Sequence, residues 1–347
     1  MTLLTNLMIS FFLIGQLFVP VWGDQYDEKV IVYSRLGSIS NGVLEDFTKE
    51  TGIKVEHSTY SNNELLFTKT KLLKGRGYDV LVSSTDMVDR MRNEGLIQPI
   101  EHSKLVNFKQ LDPSLLNKPY DPENEVSIPF LWGSIGIGID TSKVDVSQIS
   151  RWKDLWHRQW RDKLSLIGDM HEVFHIALKV NGHSINTTSP EEIKQAYKEL
   201  RKLMPNAKVS SLTSSNKLLS GAVNLSMIQN DEAIKIQAER SSIQYIYPQE
   251  GANFWMDSFV IPVRSPHIEN AYKFIDYMLS QEIAARSVKE LGYATSNLAA
   301  RGLLDKSLQN NAILFPPLKA LSRAEFQKDI GNAEELYYLY WDKLSGK

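Results

Sequence analysis

The chain has 347 residues, 42% apolar and 23% charged, and its 39 basic and 41 acidic side chains leave a net charge of −2. That length is too great for one ordinary hydrophobic core and implies two domains or two lobes, while the near-neutral charge gives no electrostatic case for nucleic acid or an anionic membrane. The absence of cysteine excludes disulfides, thiolate metal sites, cysteine nucleophiles and a lipid-modified N-terminal cysteine, and is compatible with any compartment.

The first segment, Leu3 to Val21, is apolar and nearly uncharged, and Pro20-Val21-Trp22-Gly23 precedes the polar Asp24-Gln25. Val21 and Gly23 suit the positions before a signal-peptidase cut, so a secretory leader cleaved after Gly23 is expected. No Lys or Arg precedes the apolar run, so either the α-amino group supplies the leader's charge or the true start lies upstream. An uncleaved membrane anchor is the rival reading. No later stretch is long and apolar enough to span a bilayer.

From Lys29 onward strands and helices alternate. Val30 to Tyr33 reads as a strand. Asn41 to Glu50 reads as a helix with Val43, Leu44 and Phe47 on one face, stopped by Gly52. Lys54 to His57 is a second strand, Asn63 to Leu73 a helix ending near Gly75, and Tyr78 to Val82 a third strand. Ser84-Thr85-Asp86 then caps a helix that runs through Met91. This alternation predicts an open, mostly parallel sheet, with ligands beyond the carboxyl ends of its strands. The loops after Tyr33 and Val82 are therefore the ones to watch.

Ser127 to Asp140 is extended, apolar and glycine-rich. It is not a phosphate loop, because no Lys-Ser/Thr follows at the required spacing and no helix opens there. It reads as a strand leaving the first lobe. A second α/β region runs from about Trp152 to Gln249, with a charged helix at Pro190 to Leu203 and a strand at Ala222 to Ile228. After Trp255 the chain returns to the first lobe. Helices are expected at Ile268 to Leu279, Gln281 to Leu291 and Glu334 to Leu344.

Within Phe254-Trp255-Met256-Asp257-Ser258-Phe259-Val260-Ile261-Pro262 an indole and a carboxylate stand two residues apart. In an extended segment such residues face one side, so Trp255 and Asp257 can grip one alkylammonium group, the ring face attracting the cation and the acid pairing with it. The plainer alternative for the pair alone is a core tryptophan beside a solvated aspartate.

His171-Glu172-Val173-Phe174-His175 has the spacing of a zinc-protease helix. Two imidazoles one turn apart could ligate the metal, Glu172 could activate its water, and Glu191, Glu192 or Glu199 could supply a third ligand. Against this, the pattern lies just after the strand-like Leu164-Ser165-Leu166-Ile167, where Asp169 is better placed as a helix N-cap or a ligand contact. No downstream segment looks like a third-ligand helix.

The surrounding motifs point elsewhere. They are Phe47-Thr48-Lys49-Glu50-Thr51-Gly52-Ile53-Lys54-Val55, Asn107-Phe108 with Leu111-Asp112-Pro113, Leu116-Asn117-Lys118-Pro119-Tyr120-Asp121-Pro122, and Ser127-Ile128-Pro129 with Leu131-Trp132-Gly133. Glu172-Val173-Phe174, Phe254-Trp255-Met256-Asp257-Ser258 and Asn297-Leu298-Ala299-Ala300-Arg301 complete the set. Together they resemble the periplasmic spermidine/putrescine-binding proteins of polyamine ABC importers, from Val30 to about Leu344.

The resemblance implies a two-lobed α/β fold with an interlobe ligand cleft. After a leader at 1–23, the expected lobes are 24–135 with 256–302 and 136–255 with 303–347. It implies a hydroxyl contact at Ser84, acids for an ammonium end at Asp169 and Glu172, and an aromatic wall at Trp255. It also implies an acid for a ligand nitrogen at Asp257, and stacking and amide positions at Tyr293 and Gln327. The departures are concentrated. The loop after the first strand is Ser34-Arg35-Leu36-Gly37-Ser38, where such proteins carry aromatics, a hydroxyl and an acid. Gln229 replaces a tryptophan and Asp86 a tyrosine.

Arg35 facing a polycation would be repelled. Pairing with Asp86, exposure to solvent, or binding of a ligand carboxylate each resolve this, and pairing or exposure is favoured. The implied role is that of an exported binder of a polyamine, with no catalysis and no cofactor, acting as a monomer that docks on a membrane permease. An amino-acid-like or guanidino ligand, or signalling to a membrane sensor, are the alternatives within the class.

Overall fold

The computed structural model describes residues 28–210, 214–323 and 325–345, excepting the side chains of Ser210, Leu318 and Ser345. The expected leader and its cut after Gly23 lie outside the described residues. Short apolar runs bounded by turn residues become the strands β1 (Lys29–Arg35), β2 (Lys54–Tyr60), β3 (Val80–Ser84), β4 (Ile128–Asp140), β5 (Leu164–Ile167) and β6 (Ala207–Ser210). They continue with β7 (Leu225–Gln229), β8 (Ile243–Ile246), β9 (Asn253–Val260), β10 (Ala294–Thr295) and β11 (Glu325–Phe326).

The main sheet runs in the order β2-β1-β3-β9-β4-β7-β5-β6. Its two outer thirds, β2-β1-β3 and β7-β5-β6, are parallel, and β9 and β4 join them through antiparallel pairs. The fold is the two-lobed α/β architecture expected above, and β4 runs from one lobe to the other. Its first half pairs with β9, its second half with β7 and β8, and all of its residues are buried. A strand buried on both faces needs a continuous apolar run, which Ile-Pro-Phe-Leu-Trp-Gly-Ser-Ile-Gly-Ile-Gly-Ile supplies.

Alternate residues of β1 and β3 serve opposite faces, as the strand period requires. Val30, Val32, Val80 and Val82 join Phe47, Phe130, Phe259 and Phe274 in one core. Tyr33 and Leu81 join Leu66, Met91 and Tyr120 in another. The second lobe packs Trp152, Leu166, Phe174, Leu200, Leu225 and Tyr337 together. The helices Pro190–Leu203, Ile268–Leu279 and Gln281–Leu291 have the bounds read from the sequence. Local signals mark two of these ends: Ser189 caps the start of the first through the Glu192 N–H, and Gly292, at φ 81°, closes the last. The strand expected from Ala222 begins only at Leu225, because the chain is still turning after Gly221 and the Asn224 N–H donates to the Lys163 carbonyl. Among the described residues no helix is long and apolar enough to cross a membrane.

Candidate ligand-binding cleft

Parallel strands carry their carboxyl ends to one edge of each half-sheet, and here the two edges face each other. Arg35 ends β1, Ser84 ends β3, Gln229 ends β7, and Asp169 stands just beyond β5. With Asp86, Glu172, Trp255, Asp257 and Gln327 they line a cavity of about 660 Å³. Tyr293 alone of the expected contacts does not line it. It stands behind Trp255, edge to face at 5.2 Å and 85°.

Trp255 and Asp257 share one side of β9, as their spacing predicts. Trp255 packs on the apolar cores of both lobes. Its position depends on Gly133, its partner across β4. A Cβ at 133 would fall 2.7 Å from Trp255 Cε2 and 2.6 Å from Asn230 Oδ1, so only glycine lets the indole lie against the strand.

Arg35 does not pair with Asp86, as favoured above, nor is it left to solvent. Its Nη2 lies 3.1 Å from Oδ2 of Asp257, and its Cζ lies 5.6 Å from the ring centres of both Trp255 and Tyr293. Sheet order explains the partner. β1 neighbours β3, and β3 pairs with β9 so that Ser84 faces Asp257, which brings Asp257 within reach of the end of β1. The neighbouring carboxylate raises the Arg35 pKa, against the opposing effect of burial. Asp257, expected to face a ligand nitrogen, thus already carries a cation. Asp86 is turned to the Ser84 hydroxyl, which donates to its Oδ1 at 2.5 Å. Ser84 therefore occupies the N-cap position of the helix Thr85–Asn93 without capping it through its side chain. Burial raises the Asp86 pKa, and the Ser84 hydroxyl opposes the rise.

On the second lobe Asp169 caps the helix Met170–Val180, accepting from the Glu172 N–H at 3.0 Å. Glu172 accepts from Asn253 Nδ2 at 2.7 Å and lies 3.6 Å from His175 Nδ1. Burial disfavours its charge, but the His175 and Asn253 contacts prevail and its pKa is lowered. Burial likewise opposes the charged form of His171, yet the Glu334 carboxylate at 3.3 Å, with Asp169 and Asp86 nearby, raises its pKa. The zinc reading gains no support from this geometry. His175 is buried, Glu192 is engaged by Thr187, and Glu199 is engaged by Lys153 and Lys202. Among the described residues no group of three His, Cys, Asp or Glu could hold a metal ion.

Gln327 enters the cleft because its carbonyl accepts from the Thr85 hydroxyl at 2.6 Å. The same segment brings Lys328, Asp329, Glu334 and Tyr338 to the rim, and Glu64 and Arg90 join from the first lobe. None of these was singled out as a ligand contact in the sequence, and none belongs to a motif that could have revealed it. The lining holds Glu64, Asp86, Asp169, Glu172, Asp257, Asp329 and Glu334 against Arg35, Arg90 and Lys328. Arg35 matches Asp257, Arg90 matches Glu64 and His171 meets Glu334, which leaves Asp86, Asp169, Glu172 and Asp329 against Lys328. A larger hollow of about 810 Å³ around Lys104, Tyr272 and Asp276 spends its charges locally. There Lys104 pairs with Glu269 at 2.8 Å and Asp276 accepts from Asn107.

An acidic cleft with an aromatic wall, at the switch point between two α/β lobes, defines a solute-binding protein. The chain belongs to the bacterial extracellular solute-binding protein family, whose model matches residues 42–316. It is 43% identical over 319 residues, 92% of each chain, to the spermidine/putrescine-binding periplasmic protein of Salmonella typhimurium. To the protein of that name from Escherichia coli it is 45% identical over 304 residues, 87% of each chain. The crystal structure of a spermidine/putrescine ABC transporter substrate-binding protein from Streptococcus pneumoniae superposes with a TM-score of 0.83 at 28% identity, covering 92% of this chain and 99% of that one.

Proposed function

We propose that the protein captures a small aliphatic polyamine of the putrescine–spermidine class in this cleft and delivers it to the permease of an ABC importer. The observation that carries the reading is the excess of carboxylates around one aromatic wall, with Asp86, Asp169 and Glu172 not matched by Lys or Arg and only His171 and His175 beside them. A protonated amine supplies the missing charge, and Trp255, which lines the cleft, offers apolar surface to its methylene chain. Ser84, Gln229 and Gln327 complete hydrogen bonds, Tyr293 braces Trp255, and Asp257 acts through its pair with Arg35. The relatives named above, which bear spermidine and putrescine in their names, support the ligand class.

The lobes are assigned to 24–135 with 256–302 and 136–255 with 303–347. The change of partners along β4, from β9 to β7 and β8, supports that division. Closure about β4 and β9 buries the ligand and strengthens its ion pairs, while facing carboxylates hold the ligand-free lobes apart. No reaction is required, and the protein works as an exported periplasmic monomer.

Thermal denaturation with putrescine, cadaverine, spermidine, spermine, agmatine and amino acids tests this. A ligand at about 100 times its Kd adds about 2.7 kcal/mol and raises Tm by a few degrees. A rise with one or more polyamines is the expected result. A rise only with amino acids, or none, refutes the reading.

A further inference from the structure

Arg35 meets the partners that a ligand cation would seek. Its guanidinium is 3.1 Å from the Asp257 carboxylate and 5.6 Å from the faces of both Trp255 and Tyr293. Asp257 is therefore already paired with a cation of the protein itself. Two further facts define what is left. Asp169 and Glu172 stand together on the second lobe, and Asp86 stands across the cleft beside Ser84. That arrangement offers two acidic ends, and Arg35 lines the same cleft beside Asp257.

Resting on the polyamine reading above, we infer that Arg35 is a tethered cation occupying one seat of the cleft, and that it makes the site select diamines over triamines and tetraamines. One ammonium of a diamine meets Asp169 and Glu172, and the other meets Asp86. The third charge of a triamine finds Asp257 already neutralised and the guanidinium beside it. Selectivity of this kind is built from repulsion toward the wrong ligand as much as attraction to the right one.

Isothermal titration of putrescine and spermidine into the full protein, Arg35→Ala and Arg35→Gln tests this. Arg35→Gln removes the charge while keeping a polar side chain of intermediate length, and guards against a folding defect in the alanine variant. The parent should bind putrescine at least about tenfold tighter than spermidine, and both variants should shrink or invert that ratio by about tenfold, the scale of one lost charge contact. Tighter spermidine binding by the parent, or a ratio that neither variant changes, overturns the role of Arg35 while leaving the polyamine reading standing. If neither amine binds any of the three proteins, the polyamine reading falls, and this inference falls with it.

Discussion

Replacing Asp257 by alanine should harm the ligand-free protein more than replacing Asp257 and Arg35 together. At 3.1 Å and an effective dielectric of about 20, the gross attraction of the pair is about 5 kcal/mol. Desolvation and ordering of the guanidinium return much of that. Because 30% of the Arg35 side chain is exposed, water softens the loss further, leaving about 2–3 kcal/mol as the expected cost of Asp257→Ala. Most of that cost is the stranded guanidinium beside Trp255 and Tyr293, so removing Arg35 as well should restore about 1 kcal/mol or more. Urea denaturation of the parent, both single variants and the double variant closes the cycle. If the double variant is less stable than Asp257→Ala by the full cost of Arg35→Ala, the two residues are uncoupled and the reasoning is wrong.

Three other outcomes are expected. Gly133→Ala should displace the Trp255 indole, cost about 1–3 kcal/mol of stability through overpacking and weaken amine binding; unchanged Tm, Trp fluorescence and affinity would show that Gly133 does not set the wall. Glu172→Gln should weaken amine binding by about 10- to 100-fold, as loss of a charge-assisted hydrogen bond implies. The exposed Asp169 should matter less, and equal affinities by titration would contradict its assignment. The pKa of His171 is raised, so its stabilising contribution is complete below the ordinary histidine value of about 6.5 and is lost as pH rises through the folded pKa. The same deprotonation removes a cation beside Asp169, Asp86 and Glu334, so amine affinity should rise over that window while stability falls. Both trends should flatten in His171→Gln, and parallel trends in the parent would refute the scheme.

Much of this protein was legible in its chain. Period-two and period-3.6 apolar patterns are local, and caps and stops such as Ser189 and Gly292 are local too, so several helices could be bounded to the residue. The alternation of strands and helices implied parallel half-sheets, and with them a ligand at the strand ends. The two-residue spacing of Trp255 and Asp257 placed them on one side of a strand before any partner was known. What the chain could not reveal was which charges meet. Arg35 and Asp257 are 222 positions apart, and their pairing follows from β3 lying between β1 and β9, a consequence of sheet order that no local pattern carries. The same holds for Gly133, which read as one glycine of an apolar strand until β9 laid an indole across it, and for Glu334, which reaches His171 only through the packing of the final helix. Local physics settled the elements and their faces; the long-range register of the sheet decided which cation fills the aromatic box.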